Sequence, residues 1–138
     1  MPNYLFLREP DATQAAQIRS LYRQQSWWEP ADDANPGLVA RIVRGSHCFA
    51  VACEGGEIIG MGRAISDGAA DAYIQDVTVR PDARGRGIAS ALVAALVARL
   101  RADGLGWIAL IATGGSRPLY EKLGFAPIAE ATPMLQRR

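Results

Sequence analysis

Between an apolar run that ends at Val79 and an amphipathic run that starts at Ile88 lie Arg84, Gly85, Arg86 and Gly87, an order that suits phosphate binding. Two glycines let backbone approach a ligand closely with N–H groups free to donate, and a helix starting near Ile88 turns the positive end of its dipole to the same point. Arg84 and Arg86 add cationic forks beside those amides. Upstream, Asp76 interrupts the apolar stretch Ile74 to Val79. A carboxylate there must be hydrogen-bonded, ion-paired or active in proton transfer. Downstream, Tyr120 stands within Leu119-Tyr-Glu-Lys-Leu-Gly-Phe125. Its phenol, with an ordinary pKa of about 10, stays protonated at neutral pH, although among Leu119, Leu123 and Phe125 the ring is equally suited to packing.

Other nucleotide loops do not fit. A dinucleotide fingerprint needs a third glycine where Ser90 stands, and the unit falls late in the chain instead of opening it. A P-loop needs Gly-Lys-Ser/Thr, and Lys122 is the only lysine. Taken alone, the loop could also be a plain strand-turn-helix connection with solvated arginines. Histidine is a residue type suited to proton transfer, but His47 begins a peripheral strand and belongs to no motif. Cys48 and Cys53 lie five apart on one apolar segment, which is no metal-ligand spacing, so no metal is expected. Opposite strand parity sends them to opposite faces as buried free thiols, without an activating base or helix start.

The elements that must position these groups follow from periodicity and punctuation. A strand is predicted over 4–8, then a helix capped by Asp11 or Thr13 through Gln25, since Ala12, Ala15, Ile18, Leu21 and Tyr22 recur at helical spacing. Trp27-Trp28-Glu29-Pro30 ends it. Asn35 before Pro36 signals a second helix through Arg44, closed by Gly45. Runs 47–53 and 57–65 flank the hairpin turn Glu54-Gly55-Gly56, and after Asp67-Gly68 the strand Tyr73 to Val79 feeds the loop. Ile88, Leu92, Leu96 and Leu100, flanked by Val93 and Val97, form the buried stripe of a long helix that Gly104 terminates. Residues 107–112 read as a parallel strand because a helix separates them from 73–79, and Pro118 starts a short helix that Gly124 stops.

At 138 residues the chain is expected to be one domain, residues 1–138, that buries roughly two-thirds of its unfolded surface. Hydrophobic content of 49% with 21% charge is globular. A formal net charge of +1 gives no bulk attraction to nucleic acid or anionic membrane, so local charge must carry any anion binding. The N-terminus lacks a basic segment before its short apolar run, and the longest apolar run, Ile88 to Ala98, is about half a membrane span. A cytoplasmic protein without membrane or nucleic-acid partners is expected.

Residues 84–89 fit Arg-x-x-Gly-x-Ala, and 119–125 match a C-terminal signature almost residue for residue. On these two motifs, in this order, the chain resembles the GNAT superfamily of N-acetyltransferases, and the element order is similar to that fold over nearly the whole chain. The resemblance implies an α/β (α+β) fold: a mixed central sheet with a splayed strand pair that binds acyl-CoA, flanked by about four helices. It implies an N-acetyltransferase that moves the acetyl group of acetyl-CoA, the cosubstrate, to a primary amine, expected to be that of a small molecule, by direct transfer in a ternary complex. A catalytically degenerate acyl-CoA-binding sensor or interaction module is the alternative.

By the same resemblance, Val77, Thr78 and Val79 would meet the pantetheine arm and acetyl carbonyl through their backbone, and Arg84, Gly85, Arg86, Gly87, Ile88 and Ala89 the pyrophosphate. Tyr120 would point at the thioester sulfur as general acid. Asp76 would serve as base, directly or through water, or anchor a neighbouring element, and Gln75 could orient an acceptor. Many relatives carry an asparagine seven residues before the motif tyrosine, where Thr113 stands here. The acceptor cleft would be walled by Trp28, Glu29, Arg63 and Tyr73, with Trp27, Asp32 and Asp33 nearby, suiting a small cationic amine. Insertion of Trp27 or Trp28 into the core is the alternative. Thirteen residues follow Phe125, Pro127 and Pro133 among them, so a last strand is expected to be short or irregular, and part of the acceptor site or a homodimer edge abbreviated.

Overall fold

The computed structural model describes residues 1–137 and contains one five-stranded sheet in the order β1-β2-β3-β4-β5. The strands are β1 (Asn3–Leu7), β2 (Cys48–Glu54), β3 (Glu57–Ile65), β4 (Asp71–Val79) and β5 (Trp107–Leu110). The helices are α1 (Ala12–Gln24), α2 (Pro30–Asp33), α3 (Leu38–Gly45), α4 (Ile88–Ala102) and α5 (Arg117–Lys122). Strands β1 to β4 pair antiparallel, while β4 and β5 run parallel because α4 carries the chain back across the sheet between them.

Alternation along β2 explains its unbroken apolar sequence. Ala50 and Ala52 face α4, where Leu92, Leu96 and Leu100 are fully buried, and Phe49 and Val51 face Ile18, Leu21 and Tyr22 of α1 with Val39 and Val43 of α3. Each fully buried leucine contributes about 1.5–3 kcal/mol, so the stripe on α4 anchors the helix whose first turn borders the loop. A side chain at Gly60 would stand 3.2 Å from both Ile88 and Leu92, so glycine lets α4 lie close on β3. Cys48 belongs to the α4-side cluster and Cys53 packs against the other, as parity requires, and burial pushes the Cys48 thiol up to about 11.

Asp11 caps α1: its side chain accepts from the Gln14 N–H at 2.8 Å, and Gln14 accepts from the Asp11 N–H at 2.9 Å. Asn35 does not cap the next long helix. Its side chain accepts from the N–H of Gly37 two residues on, forming a turn, and α3 begins at Leu38. Pro30 starts the short helix α2, which the sequence signals concealed because the same proline read as a stop. Five helices therefore flank the sheet where about four were expected. Strand β5 stops at Leu110 instead of 112, and no strand forms after it among the described residues, with Pro127 and Pro133 in that stretch.

The feature that shapes the site is a bulge in β4. Arg63 pairs with Gln75 and Met61 with Thr78, so Asp76 and Val77 together oppose Gly62. Asp76 has φ +59°, a left-handed conformation that aspartate tolerates better than most residues. The extra residue reverses strand parity: Ala72 and Ile74 face α4 before it, Val77 and Val79 after it. Pairing with β5 ends at Ile74 opposite Leu110, so residues 75–79 keep β3 on one edge and have no strand on the other.

Candidate active site

The loop between β4 and α4 opens with a 3-10 turn, Pro81–Ala83, and continues through Arg84 into Gly85 and Gly87, each at φ +77°. A Cβ at either glycine would meet nothing within 4 Å, so backbone conformation, not protein crowding, calls for glycine here. Gly87 is the N-cap of α4 and offers no side-chain cap. Backbone N–H groups from Gly85 to Ser90 have no hydrogen-bond partner among the described residues. A row of free amides at the head of a helix running Ile88–Ala102 is an anion site by geometry and by dipole.

The two arginines are engaged differently from simple free forks. Arg84 donates through Nε to the Val79 carbonyl at 3.1 Å, tying the loop to the end of β4. Arg86 makes a bidentate pair with Glu54 at 2.9 and 2.6 Å, which holds the loop to the β2–β3 hairpin and keeps the Glu54 carboxyl below its ordinary range. Both side chains are surface-exposed. Ile88 is buried beneath the loop and Ala89 is half-buried.

Tyr120 lies half-buried on α5, its ring edge-on to Phe125 with centroids 6.0 Å apart. Burial raises the phenol above its usual pKa, which keeps it protonated. It lines a cleft of about 530 Å³ together with Tyr73, Leu110, Ile111, Phe125 and Ile128. Thr113 has an exposed side chain just beyond β5, and its carbonyl accepts from both the N–H and the hydroxyl of Ser116 at 3.1 and 2.6 Å.

Asp76 sits at the bulge with one oxygen, Oδ2, accepting from Arg63 Nε and from the Tyr22 hydroxyl, both at 2.7 Å. Its side chain is 16% exposed, and Oδ1 accepts no hydrogen bond among the described residues. Arg63 is thus spoken for, donating also to Ser46 at 3.4 Å. Gln75, next to Asp76, is half-buried. Trp28 stacks on Tyr22 at 4.7 Å and has the Arg19 guanidinium over its ring at 5.2 Å, so it stands on the α1 side as a packed ring. Trp27 meets Tyr22 edge-on and is 44% exposed. Glu29 is exposed at the N-cap of α2, where its N–H donates to Asp32. Asp33 pairs with Arg23 and Arg19.

The structure therefore joins the loop to the open half of β4 and gathers Tyr73 and Tyr120 into one cleft, while Trp28 and Arg63 serve an interior network. Tyr22 is the participant that sequence reasoning missed. A tyrosine on the buried stripe of a helix must find a partner for its hydroxyl, which is the signal it carried.

Residues 7–125 match the model of the Acetyltransferase (GNAT) family. The chain is 44% identical over 69 residues to GCN5-related N-acetyltransferase 2, chloroplastic, of Arabidopsis thaliana, a match covering 50% of this chain and 27% of that protein. Curated relatives that it matches are spanned over 27% to 40% of their length. A solved GNAT-family structure from Xanthomonas campestris pv. campestris is 30% identical with a TM-score of 0.75, covering 100% of this chain and 94% of its own. An acetyltransferase from Clostridium acetobutylicum solved with acetyl-CoA shares the fold at 23% identity and a TM-score of 0.74, over 98% of this chain and 96% of its own.

Proposed function

Because the chain belongs to the GNAT acetyltransferase family, we propose that it transfers the acetyl group of acetyl-CoA directly to the primary amine of a small molecule in a ternary complex. The observation that carries this reading is the row of free amides heading α4 beside the unpaired edge of β4. Pyrophosphate would rest on the amides of residues 85–89, and the extended arm of the donor would run along the backbone of Val77, Thr78 and Val79, which has no strand on that side. In the transfer, the amine nitrogen attacks the thioester carbonyl, the carbon–sulfur bond breaks, and the departing thiolate takes the phenolic proton of Tyr120. The proton lost by the amine passes to Asp76 Oδ1, directly or through water, while Oδ2 stays bound to Arg63 and Tyr22.

The cleft beside Tyr120 favours an acceptor with an apolar body: Tyr73, Leu110, Ile111, Phe125 and Ile128 make up much of its wall, with Arg117 and Glu121 as its charged members, and its volume is in the range of small-molecule sites. At helix α2, Asp33 pairs with Arg19 and Arg23, and Asp32 accepts from the Glu29 N–H. The test is amine-dependent release of CoA across a panel of arylalkylamines, alkylamines, amino sugars, polyamines and peptide N-termini. Amines with an apolar body should react at least tenfold faster, in kcat/KM, than polyamines of equal size. Acetyl-CoA binding without release to any amine would leave the binding-module reading in its place.

Asp76→Asn separates base from anchor, because it preserves size, the left-handed backbone and an accepting oxygen for Tyr22 while removing the proton acceptor. We expect kcat to fall by roughly ten- to a hundredfold, with smaller losses of melting temperature and acetyl-CoA affinity because the amide oxygen carries no charge toward Arg63 and Tyr22. A large fall in melting temperature at preserved kcat would assign Asp76 to anchoring alone.

A further inference from the structure

Three side chains at the end of α1 reach β4 along the stretch that β5 does not pair. The Tyr22 hydroxyl donates to Asp76 Oδ2 at 2.7 Å, Gln24 Nε2 to the Val79 carbonyl at 3.4 Å, and Gln25 Nε2 to Thr78 Oγ1 at 2.7 Å. Arg63 from β3 donates to the same Asp76 oxygen, so the bulge residue is gripped from the helix and from the sheet at once. Tyr22 is only 2% exposed and its ring lies under Trp28, which fixes the direction of the hydroxyl. A hydrogen bond from a rigid, buried donor to a carboxylate is directional and strong, and it acts on a residue whose φ of +59° a regular strand would not keep.

We propose that Tyr22 is a positioning residue for donor binding: through Asp76, and with Gln24 and Gln25 beside it, it holds the unpaired half of β4 on the bent path that leaves the slot beside β5. This rests on reading that slot as the acyl-donor site. The end of α1 then substitutes for the missing strand, restraining β4 by side chains, with Gln24 on the Val79 carbonyl, while no strand pairs with β4 beyond Ile74. The neighbouring aromatic pair makes the α1–α2 segment part of the same rigid unit.

The test measures acetyl-CoA affinity by calorimetry alongside the melting temperature for wild type, Tyr22→Phe, Gln25→Ala, Asp76→Gly and the Tyr22→Phe/Asp76→Gly double variant. Tyr22→Phe keeps the ring stack and should weaken acetyl-CoA binding about tenfold, the scale of one hydrogen bond to a charged group. Gln25→Ala, at a half-buried position, repeats the test at Thr78 without touching the core and should weaken binding about threefold, the scale of a neutral bond. Asp76→Gly accepts the left-handed backbone without strain, yet should bind at least as weakly as Tyr22→Phe, because the tether is lost. If Tyr22 acts through Asp76, the double variant binds no more weakly than Asp76→Gly. A structural bond alone would lower the melting temperature and leave affinity unmoved. Affinity within twofold of wild type in both Tyr22→Phe and Gln25→Ala, or additive losses in the double variant, overturns the proposal. Wild type that does not bind acetyl-CoA overturns the slot reading itself, and this inference with it.

Discussion

Gly87→Asp is expected to weaken acetyl-CoA binding at least about a hundredfold, since a carboxylate set among the amides at the head of α4 faces the pyrophosphate as a like charge costing several kcal/mol. The fold should survive. Gly87 has φ +77°, where aspartate and asparagine are among the better tolerated replacements, and a Cβ there meets nothing within 4 Å. Gly87→Asn is the control, carrying the same backbone strain and nearly the same volume without the charge. Calorimetric titration of acetyl-CoA against both variants isolates electrostatic repulsion as the difference between them. Equal affinity for wild type and Gly87→Asp, with matched melting curves, would remove this loop from the donor site. A parallel titration with dephospho-CoA asks whether Arg84 or Arg86 reads the ribose phosphate.

Tyr120→Phe should lower kcat by roughly ten- to a thousandfold with little change in acetyl-CoA affinity, because it deletes a proton and keeps the edge-on contact with Phe125. The pH dependence gives a second readout. A general acid must be protonated to act, and burial moves the Tyr120 phenol above its ordinary value of 10. Activity owed to this proton is therefore full below that raised value and is lost only as pH climbs through it. The midpoint of the wild-type alkaline limb should lie above pH 10 as far as this group is concerned, and the Phe variant should lack that limb. Unchanged kcat in Tyr120→Phe, measured where chemistry limits turnover, would show that water or another group protonates the thiolate.

Much of this arrangement was legible from the chain. Helix α4 could be placed because Ile88, Leu92, Leu96 and Leu100 repeat at helical spacing and are buried, and its start because Gly85 and Gly87 punctuate the approach. A cap at Asp11 or Thr13 could be read because capping is a bond between residues three apart, and the structure chooses Asp11. Parallel pairing of β4 with β5 followed from the helix between them. Asn35 and Pro30 misled because short polar and proline signals serve turns and helix starts alike, and only competition with the rest of the chain decides which.

Local sequence thus determined most of the elements, the glycine loop and the family resemblance, because spacing, caps and turn residues act over a few positions. Tertiary structure alone decided the use of Asp76, Arg63, Tyr22 and Arg86. Tyr22 and Asp76 are 54 positions apart and Arg86 and Glu54 are 32 apart, and no periodicity couples such pairs. The bulge that puts Asp76 at φ +59° arises from register between β3 and β4, a property of two strands together. One residue more on β4 than on β3 reverses the faces of Val77 and Val79, and β4 runs on to Val79 without β5 beyond Ile74. The open edge is a consequence of pairing, which no single strand encodes.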